Sequence, residues 1–598
     1  MFSQLFDFVI IGGGTAGLVV ANGLADAIPN ATIALLEAGE RVVANTTLIP
    51  EMFEQFFATA IDWNFTSIPQ PHANNRQIPS PRGKLLGGTG IVNGMFYVKS
   101  HKAEYDAWEK LGNVGWNFDV INTHIKAVEK YTPASSHDAQ MFAANDLASD
   151  HGSVGPVDVT YSTYWDPEPL TPAFISSMTT LGVKTTRSAS GGLPAGVWST
   201  PYAVKPVNRS HAFYGEDLVV SGITKPNLHL ITGAEVTKLE LSKDAKSGDA
   251  SATGVEFVKN GKSQVLRVKT DGQIVLAAGT FQTPKILEFS GIGNATLLKQ
   301  QSIISQVDLP HVGENLQDHT DVVVSFELKP GLGPSVEDLT RNATFAAEQL
   351  VLYLHNRTGA LGSIPSSTVA MLPVQSFINP TRLKELIAKL DESLRVYQGT
   401  PTEKQITTQR ALLDDPTVPD IELVFLPGAA EAGGSNDTST SHMAIAAVSM
   451  HPFSRGNVHI NSSNPLNLAR LDPQHLGNDF ETATLVESIK FIERLSKTAP
   501  LTDFITKQIT PSPGLSDNQL TDFVRNTAFS SWHPVGPTSM LPRDQGGVVD
   551  CNLKVYATRN IYVVDASVIP LSLGTHTMAT VYGIAHKAVD ILSKRQNV

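Results

Sequence analysis

A glycine-rich segment near the start of the chain constrains the fold more than any other feature. Residues 6–11 (FDFVII) form a short apolar run with β-branched residues, which predicts a buried parallel strand. Gly12, Gly14 and Gly17 follow at once in a G-x-G-x-x-G pattern. In such a pattern the first glycine makes the tight turn, the second lets a phosphate approach the backbone, and the third lets a helix pack on the strand. The segment therefore predicts the phosphate-binding turn of a β-α-β unit.

The residues that follow complete this unit. Residues 18–27 carry a helical pattern, and residues 32–36 (TIALL) form a second apolar strand that leads into Glu37, 20 positions beyond the last glycine. The helix N-terminus offers amide donors to phosphates, and Glu37 is placed to accept hydrogen bonds from ribose hydroxyls. Further dinucleotide contacts are expected from Thr15, Ala16 and Ala38. The pattern does not choose between NAD and FAD, although its position at the N-terminus favours FAD.

Charge and composition exclude several classes of function. The 598-residue chain has 57 acidic and 45 basic residues, a formal net charge of −12, which argues against a nucleic-acid partner. No apolar run reaches the roughly 18 residues that a membrane span requires. Cys551 is the only cysteine, which excludes an intrachain disulfide and a zinc site built on thiolates. We expect an enzyme that acts on a small molecule, with no membrane or nucleic-acid partner.

The signals for localisation disagree. The first predicted strand begins by residue 6, which leaves no room for a signal peptide. Nine Asn-X-Ser/Thr acceptors nevertheless occur, at Asn30, Asn45, Asn64, Asn208, Asn294, Asn342, Asn356, Asn436 and Asn461. We expect a secreted glycoprotein whose signal peptide has been removed, and a cytoplasmic protein is the alternative.

Four further segments carry a specific resemblance. They are residues 81–97 (PRGKLLGGTGIVNGMFY), 280–294 (TFQTPKILEFSGIGN), 312–319 (VGENLQDH) and 560–570 (NIYVVDASVIP). They resemble segments of the glucose-methanol-choline (GMC) oxidoreductases, in the branch of fungal aryl-alcohol oxidases and glucose or oligosaccharide dehydrogenases. The resemblance covers both ends of the chain and much of its middle.

The resemblance implies an α/β fold in which a Rossmann-like FAD-binding domain is joined to a second, α+β substrate domain built on an antiparallel sheet. The FAD-binding domain is expected at residues 1–157, 223–320 and 546–598, and the substrate domain at 158–222 and 321–545. Strands are expected at residues 228–239, 421–427, 443–450 and 456–460, helices at 383–394 and 481–496, and a flexible surface loop at 428–440.

The resemblance also implies FAD that is bound without a covalent link. The residues that it places around the cofactor are Thr89, Asn93, Gly94, Met95, Phe96, Val236, Asp565, Ala566, Thr577 and Met578. A carboxylate that faced phosphates directly would be repelled, so Asp565 is expected to position its segment with amides around it. Covalent members of the family use a histidine in the first signature region, and His72 and His101 lie outside the core of that region.

Two of the 17 histidines lie in segments that resemble the family's catalytic ones. His533 occurs in SWHPVG and His576 in GTHTM, on either side of Asp565 along the chain. An unassisted alcohol holds its proton about as tightly as bulk water, with a pKa of roughly 16, whereas neutral imidazole is a usable base near neutral pH. We expect His533 to act as the general base and His576 to donate to the developing alkoxide. A structural histidine is the alternative at each position.

The residues before His533 bear on the substrate. In glucose-specific relatives an arginine and an asparagine precede this histidine, and here Phe529 and Ser531 stand in their places. Without the guanidinium group of that arginine, glucose recognition is expected to be weaker, because unpaired sugar hydroxyls are costly to bury. Phe529 and Trp532 instead suit stacking on an aromatic alcohol or on the apolar face of a sugar, with simple packing as the alternative.

Together these expectations describe an FAD-dependent oxidoreductase that oxidises an alcohol or sugar CH–OH group by proton abstraction and hydride transfer. Its electrons are expected to pass to oxygen or to a quinone-type acceptor, and the sequence does not choose between them. A lyase or cyclase that keeps FAD structurally is the main alternative, and a non-catalytic binding protein is another. No metal site is predicted, because Asp318 and His319 are not accompanied by other spaced ligands.

Overall fold

The fold is described from a computed structural model of the chain. The described residues are 4–42, 45–165, 167–222, 224–243, 248–364, 367–428 and 440–594. Most of the loop predicted at residues 428–440 lies outside these ranges, as does Asn436.

In the described residues, seven strands form the first sheet, which carries the glycine-rich turn. Leu5–Ile11 lies inside it, paired in parallel with Ile33–Leu36 on one side and with Lys262–Leu276 on the other. The C-terminal strand Ile561–Val563 pairs in parallel with the end of Lys262–Leu276. Apart from this C-terminal strand, the order of the strands from edge to edge is Leu228–Ile231, Ile33–Leu36, Leu5–Ile11, Lys262–Leu276, Ala250–Lys259 and Glu235–Lys243. Burial on both faces explains why the strand Leu5–Ile11 is apolar from residue 8 to residue 11, while Asp7 is only partly buried.

The single strand predicted at residues 228–239 is wrong, because the chain forms two strands there. Leu228–Ile231 pairs in parallel with Ile33–Leu36, whereas Glu235–Lys243 pairs with Ala250–Lys259 in antiparallel orientation. Gly233 lies between them with a φ of +61°, a left-handed conformation that interrupts the extended backbone. The pattern of apolar residues continues through the turn, so it gave no sign of the break.

The second sheet is antiparallel, as predicted. Within the described part of the chain it has seven strands, and its main path runs Ile505–Thr510, Thr320–Leu328, His442–Ser449, Ile421–Pro427, Thr368–Leu372 and Gly196–Ser199. The short strand Phe529–Ser530 pairs with the start of Thr320–Leu328. The strand predicted at residues 456–460 forms, as Gly456–His459, but it belongs to a separate small sheet with Glu314–Leu316 and Arg470–Asp472.

Side chains alternate between the two faces of this second sheet. Val324 and Phe326 pack into a core that includes helix Asp479–Ser496. Asp321 and Val323 lie on the opposite face and line a cavity between the two sheets. The second sheet therefore provides one wall of that cavity.

Helices surround both sheets. Within the described ranges they are Thr15–Ala27, Lys102–Lys110, Phe118–Val128, Ser136–Met141, Leu170–Thr180, Gly279–Phe289, Ala295–Gln300, Asp338–Arg341, Ala343–Asn356, Pro380–Ser393, Glu403–Leu413, Asp479–Ser496, Asp517–Thr527 and Met578–Lys594. The two helices predicted in the second half therefore form. Among the helices just named, none combines the length and the apolar content that crossing a membrane requires.

The C-terminal strand is joined to the first sheet by a buried asparagine. The Asn560 amide donates to the carbonyls of Ala252 and Gly272, at 2.9 and 2.8 Å, and its oxygen accepts from the Ala252 amide at 2.8 Å. These bonds satisfy backbone groups that would otherwise be buried without partners. They fix the point at which the last segment of the chain enters the sheet.

We expect Asn560→Ala to destabilise the protein by about 3 kcal/mol, since it removes three hydrogen bonds worth about 1 kcal/mol each. Urea unfolding followed by tryptophan fluorescence measures the change. Asn552→Ala, at an exposed asparagine eight residues earlier, is the matched control and should leave the unfolding midpoint nearly unchanged. Equal midpoints for the two variants would contradict this role of Asn560.

Candidate active site

A cavity of about 460 Å³ lies between the two sheets. It is bounded at one end by the glycine-rich turn and at the other by the antiparallel sheet. Of the residues predicted to bind the cofactor, catalyse the reaction or form the substrate pocket, all except Gly17 line it. Residues from both ends of the chain therefore meet at one cavity, while their individual roles remain predictions.

The three glycines of the first turn differ in what surrounds them. A Cβ on Gly12, which has a φ of +102°, would lie 2.4 Å from the Ala277 carbonyl oxygen, and one on Gly17 would lie 1.8 Å from the Gly12 oxygen. Both glycines are thus required by the packing of the protein itself. A Cβ on Gly14 would meet nothing nearer than Gly88 at 3.7 Å. Gly14 lines the cavity, so the space beside it is available to a ligand.

Glu37 lies in the wall of the cavity next to this turn. One carboxylate oxygen accepts from the Gly13 amide and the other from the Gly39 amide, each at 2.8 Å. Burial raises the pKa of Glu37 to about 7, against the lowering effect of these amides. Each oxygen can still accept a further bond, which fits the predicted contact with ribose hydroxyls.

Asn93, which was predicted to contact the cofactor, forms hydrogen bonds within its own loop. The Asn93 amide donates to the Thr89 carbonyl at 2.7 Å, and the Asn93 oxygen accepts from the Met95 amide at 2.6 Å. Met95 has a φ of 57°, so the loop turns sharply there. Asn93 therefore shapes the segment that lines the cavity.

The glycine geometry, the acidic residue and the long cavity fit a flavin dinucleotide. The turn leaves room for a pyrophosphate at Gly14, and Glu37 provides acceptors for a ribose. The far end of the same cavity is lined by two imidazole rings and several aromatic side chains. The residues that would hold FAD are therefore those predicted from the sequence, together with backbone amides of the first turn.

The two predicted catalytic histidines meet at this far end. The ring centroids of His533 and His576 are 4.5 Å apart, and the rings are nearly perpendicular, at 76°. Asp318 accepts from the His533 backbone amide at 2.8 Å. His576 stacks on Phe96 at 4.2 Å, and its Nε2 lies 3.1 Å from a carboxylate oxygen of Glu422. Separate supports thus fix each imidazole.

A third histidine orients His533. The Nδ1 atoms of His319 and His533 are 3.0 Å apart, so one of them donates a hydrogen bond to the other. The Nε2 of His319 lies 2.8 Å from the Ser572 hydroxyl. When His533 is the donor through Nδ1, its Nε2 keeps a free lone pair with which to accept a proton.

The environment keeps these two imidazoles neutral. Burial lowers the pKa of His319 to about 3, and the charges of His451 and His576 add to the effect. Burial is also the main reason that the pKa of His533 lies well below its usual value, followed by the nearby His576, His319 and Arg82. A neutral His533 has the protonation state that a general base requires.

Three of these supports were not predicted from the sequence. Asp318 and His319 were interpreted only as weak metal-ligand candidates, although both contact His533. Glu422 lies in the apolar strand Ile421–Pro427 and is fully buried. A lone carboxylate in such a strand was a usable signal, because a buried charge requires a partner. Within the described residues no group of three or more metal-ligating side chains is arranged to hold a metal ion.

The three predicted pocket residues line the cavity in different ways. Phe529 is 36% exposed at its rim. Trp532 packs edge-on against Phe57 at 4.8 Å. The Ser531 hydroxyl donates to Asp321 at 2.9 Å. Ser531 is therefore engaged by the protein, and aromatic rings provide much of the surface near the histidines.

The glycine-rich turn with Glu37, which fits a dinucleotide, lies in one cavity with a pair of imidazoles. This combination is that of a flavin-dependent oxidoreductase. Two sequence profiles described as GMC oxidoreductase match the chain, over residues 6–321 and 452–585. The chain belongs to the GMC oxidoreductase family. The predicted family, fold class and enzyme class are thereby confirmed, and the protein is an FAD-dependent enzyme. The domain boundaries remain predictions.

Relatives of known name are similar over nearly their whole lengths. A dehydrogenase of Armillaria gallica is 32% identical over 629 residues, which covers 100% of this chain and 94% of that protein. A glucose oxidase-like protein of Humicola fuscoatra is 32% identical and covers 98% of this chain and 95% of its own. The structure of a fungal aryl-alcohol oxidase has a TM-score of 0.88 at 26% identity and covers 100% of both chains. The structure of an FAD-dependent oxidoreductase from Chaetomium thermophilum has the same TM-score and identity, and the match covers 99% of this chain and 100% of that one.

We expect Gly14→Ala to fold normally but to bind FAD about tenfold more weakly or worse, because its methyl group enters the space left for the ligand. Gly17→Ala, the matched change three residues later, should instead destabilise the protein, since its Cβ has no room. Flavin content after purification and the unfolding midpoint of the flavin-free protein separate the two effects. A Gly14→Ala protein that retained one FAD per chain would contradict the assignment of this glycine.

Proposed function

We propose that the protein oxidises the CH–OH group of an alcohol, with His533 as the general base. One observation carries the proposal: the half-buried imidazole of His533, whose pKa desolvation lowers well below its usual value, lies beside a second imidazole in the cavity that also contains the glycine-rich turn. Bound FAD supplies the acceptor for the hydride that leaves the alcohol carbon. The protein supplies the placement of the substrate and the handling of its proton.

His533 removes the hydroxyl proton, because an alcohol carbon releases hydride only as its hydroxyl becomes an alkoxide. His319 holds the His533 ring through Nδ1 and so directs Nε2 to the substrate. His576 donates to the developing alkoxide from the ring nitrogen that does not face Glu422. The buried Glu422 carboxylate lies 3.1 Å from Nε2 of His576 and so orients this ring.

We propose an aryl alcohol or a mono- or oligosaccharide as the substrate. Phe53, Phe57 and Trp532 line the cavity and provide flat apolar surfaces for a ring. The named relatives include an aryl-alcohol oxidase and a glucose oxidase-like protein, which supports both classes. They are dehydrogenases and oxidases, so they do not favour the alternative of a lyase or cyclase on the same fold.

We also propose that FAD is held without a covalent link. His101 caps a helix through Nδ1, which accepts from the Ala103 amide at 3.2 Å, and neither His101 nor His72 lines the cavity. Oxygen and a quinone remain the proposed electron acceptors. A panel of aryl alcohols and sugars, each assayed with oxygen and with a quinone, tests the substrate class and the acceptor together. The absence of flavin reduction by every member under anaerobic conditions would contradict the proposed reaction.

We expect His533→Ala to retain FAD but to reduce it about 10² to 10⁴ times more slowly with a substrate alcohol, because the general base is lost. Stopped-flow measurement of anaerobic flavin bleaching gives the rate. His137→Ala, at a histidine on the surface, is the control and should reduce its flavin at the normal rate. If the flavin of His533→Ala were bleached at the same rate as that of the unmodified protein, His533 would not be the general base.

The burial of His533 predicts a distinctive pH dependence. Since its pKa lies well below 6.5, the imidazole is already neutral at pH 6.5 and stays neutral as the pH rises. The rate constant for flavin reduction should therefore be independent of pH above 6.5 and should fall only in more acidic solution. A profile of this rate constant against pH is the measurement, and a half-maximal rate above pH 6.5 would show that His533 is not the titrating base.

A further inference from the structure

The backbone just before His576 is held by a carboxylate from a distant part of the chain. Two residues before this histidine, the Gly574 amide donates to Oε2 of Glu104 at 2.6 Å. Glu104 lies on the helix Lys102–Lys110 and is 470 positions away from Gly574 in the sequence. The segment that carries His576 is therefore joined through its backbone to this helix.

Glu104 is buried in the protein and does not face the substrate. It is 1% exposed, and it is not among the described residues that line the cavity. Its Oε2 also accepts from the Ser100 hydroxyl, and its Oε1 lies 3.4 Å from Nε2 of His451. An effect of Glu104 on the reaction must therefore be transmitted through another residue.

His451 compensates the charge of this buried carboxylate. Its ring lies between Glu104 and Asp420, and the Asp420 Oδ1 is 3.7 Å from Nδ1 of His451. Burial lowers the pKa of His451, but the two carboxylates outweigh this effect and raise the pKa to about 10. His451 is thus positively charged near neutral pH. It occupies the Oε1 side of Glu104, which leaves Oε2 to hold Gly574.

Gly574 allows the close contact. A Cβ at this position would lie 2.9 Å from Oε1 of Glu104, which is shorter than a favourable contact between non-bonded atoms. A larger residue would therefore displace the carboxylate. The Thr575 hydroxyl, next along the chain, donates to the Val98 carbonyl at 2.9 Å. Two successive residues directly before His576 are thus anchored.

The contact with Glu104 acts mainly on the end of the segment that is nearest to His576. Ser572, four residues before His576, is held separately, because Gln317 accepts from its amide at 3.1 Å. Loss of the contact between Glu104 and Gly574 would leave this upstream anchor intact. It would release the backbone immediately before the histidine.

We propose that Glu104 is a positioning residue for His576, which it holds in place through the Gly574 amide. This inference rests on the proposed function, because it gives the position of His576 a consequence for the reaction. A donor to the developing alkoxide has to lie within hydrogen-bonding distance of it, and a displacement of about 1 Å can slow a reaction about a hundredfold. The contact depends on the reach of the Glu104 side chain, and its charge is secondary.

Two substitutions separate reach from charge. Glu104→Gln keeps the length and an acceptor for the Gly574 amide, whereas Glu104→Asp keeps the charge but is one CH₂ group shorter. With benzyl alcohol and the holoenzyme, we expect Glu104→Gln to retain most of the limiting rate constant for anaerobic flavin reduction, and Glu104→Asp to lose about tenfold or more. The dissociation constant of benzyl alcohol, from the same stopped-flow data, should change little. The opposite order of the two rate constants would overturn the proposal.

Glu129→Asp is the matched control. Glu129 is also fully buried, accepts from a glycine amide, that of Gly152, at 2.7 Å, and lies 3.4 Å from Nδ1 of His151. It also pairs with Lys99, and it is not among the described lining residues. We expect its shortening to lower the unfolding midpoint without slowing flavin reduction. Equal slowing by Glu129→Asp and Glu104→Asp would show that destabilisation alone is responsible, and it would contradict the role of Glu104.

A structural measurement, which requires no turnover, separates this inference from the proposed reaction. The ring centroids of His533 and His576 are 4.5 Å apart, and in crystal structures of the holoenzyme we expect Glu104→Asp to change this separation by about 1 Å and Glu104→Gln to preserve it. A changed separation with an unchanged rate of flavin reduction would support the contact and contradict the role of His576 in the reaction. Gly574→Ala, which crowds the same contact from the other side, takes the place of Glu104→Asp if that variant does not fold. An unchanged separation in the variant that is used would overturn the proposal.

Discussion

The hydrogen bonds of one buried carboxylate, that of Asp565, hold together the segments on which the cavity depends. One oxygen accepts from the Gly279 amide at 3.0 Å and from the Thr283 hydroxyl at 2.6 Å. The other accepts from the amide and the hydroxyl of Ser567. The start of helix Gly279–Phe289 is thereby joined to the C-terminal segment. The carboxylate is thus surrounded by protein donors, and its role near the cofactor phosphates stays a prediction.

That junction explains how the two ends of the chain form one site. The strand Ile561–Val563 extends the sheet that begins with Leu5–Ile11, so the residues after it are carried to the cavity. His576 lies just before the last helix, which packs against the first helix of the chain. The end of the cavity that contains the two histidines therefore depends on the packing of two helices more than 500 positions apart in sequence.

The antiparallel sheet supplies the complementary constraint. Its strands place Glu422 and Asp321 in one wall, and Asp318 and His319 precede its strand Thr320–Leu328 directly. Groups on a packed sheet hold their positions better than groups on a loop, which matters when an imidazole has to present one particular nitrogen. Burial next to this sheet also lowers the pKa of His533.

The sequence by itself determined most of the local elements and predicted residues that the structure brings to one cavity. The apolar run, the glycine spacing and the acidic residue define a β-α-β unit through short-range geometry, and the segments around His533 and His576 carry their own pattern. The sequence could not reveal the break at Gly233 or the partners of the histidines. His319 and His533 lie 214 positions apart, and Glu422 and His576 lie 154 apart. Only the tertiary structure decided these contacts, because strand register and the packing of distant segments set which buried polar groups meet, and no local pattern encodes them.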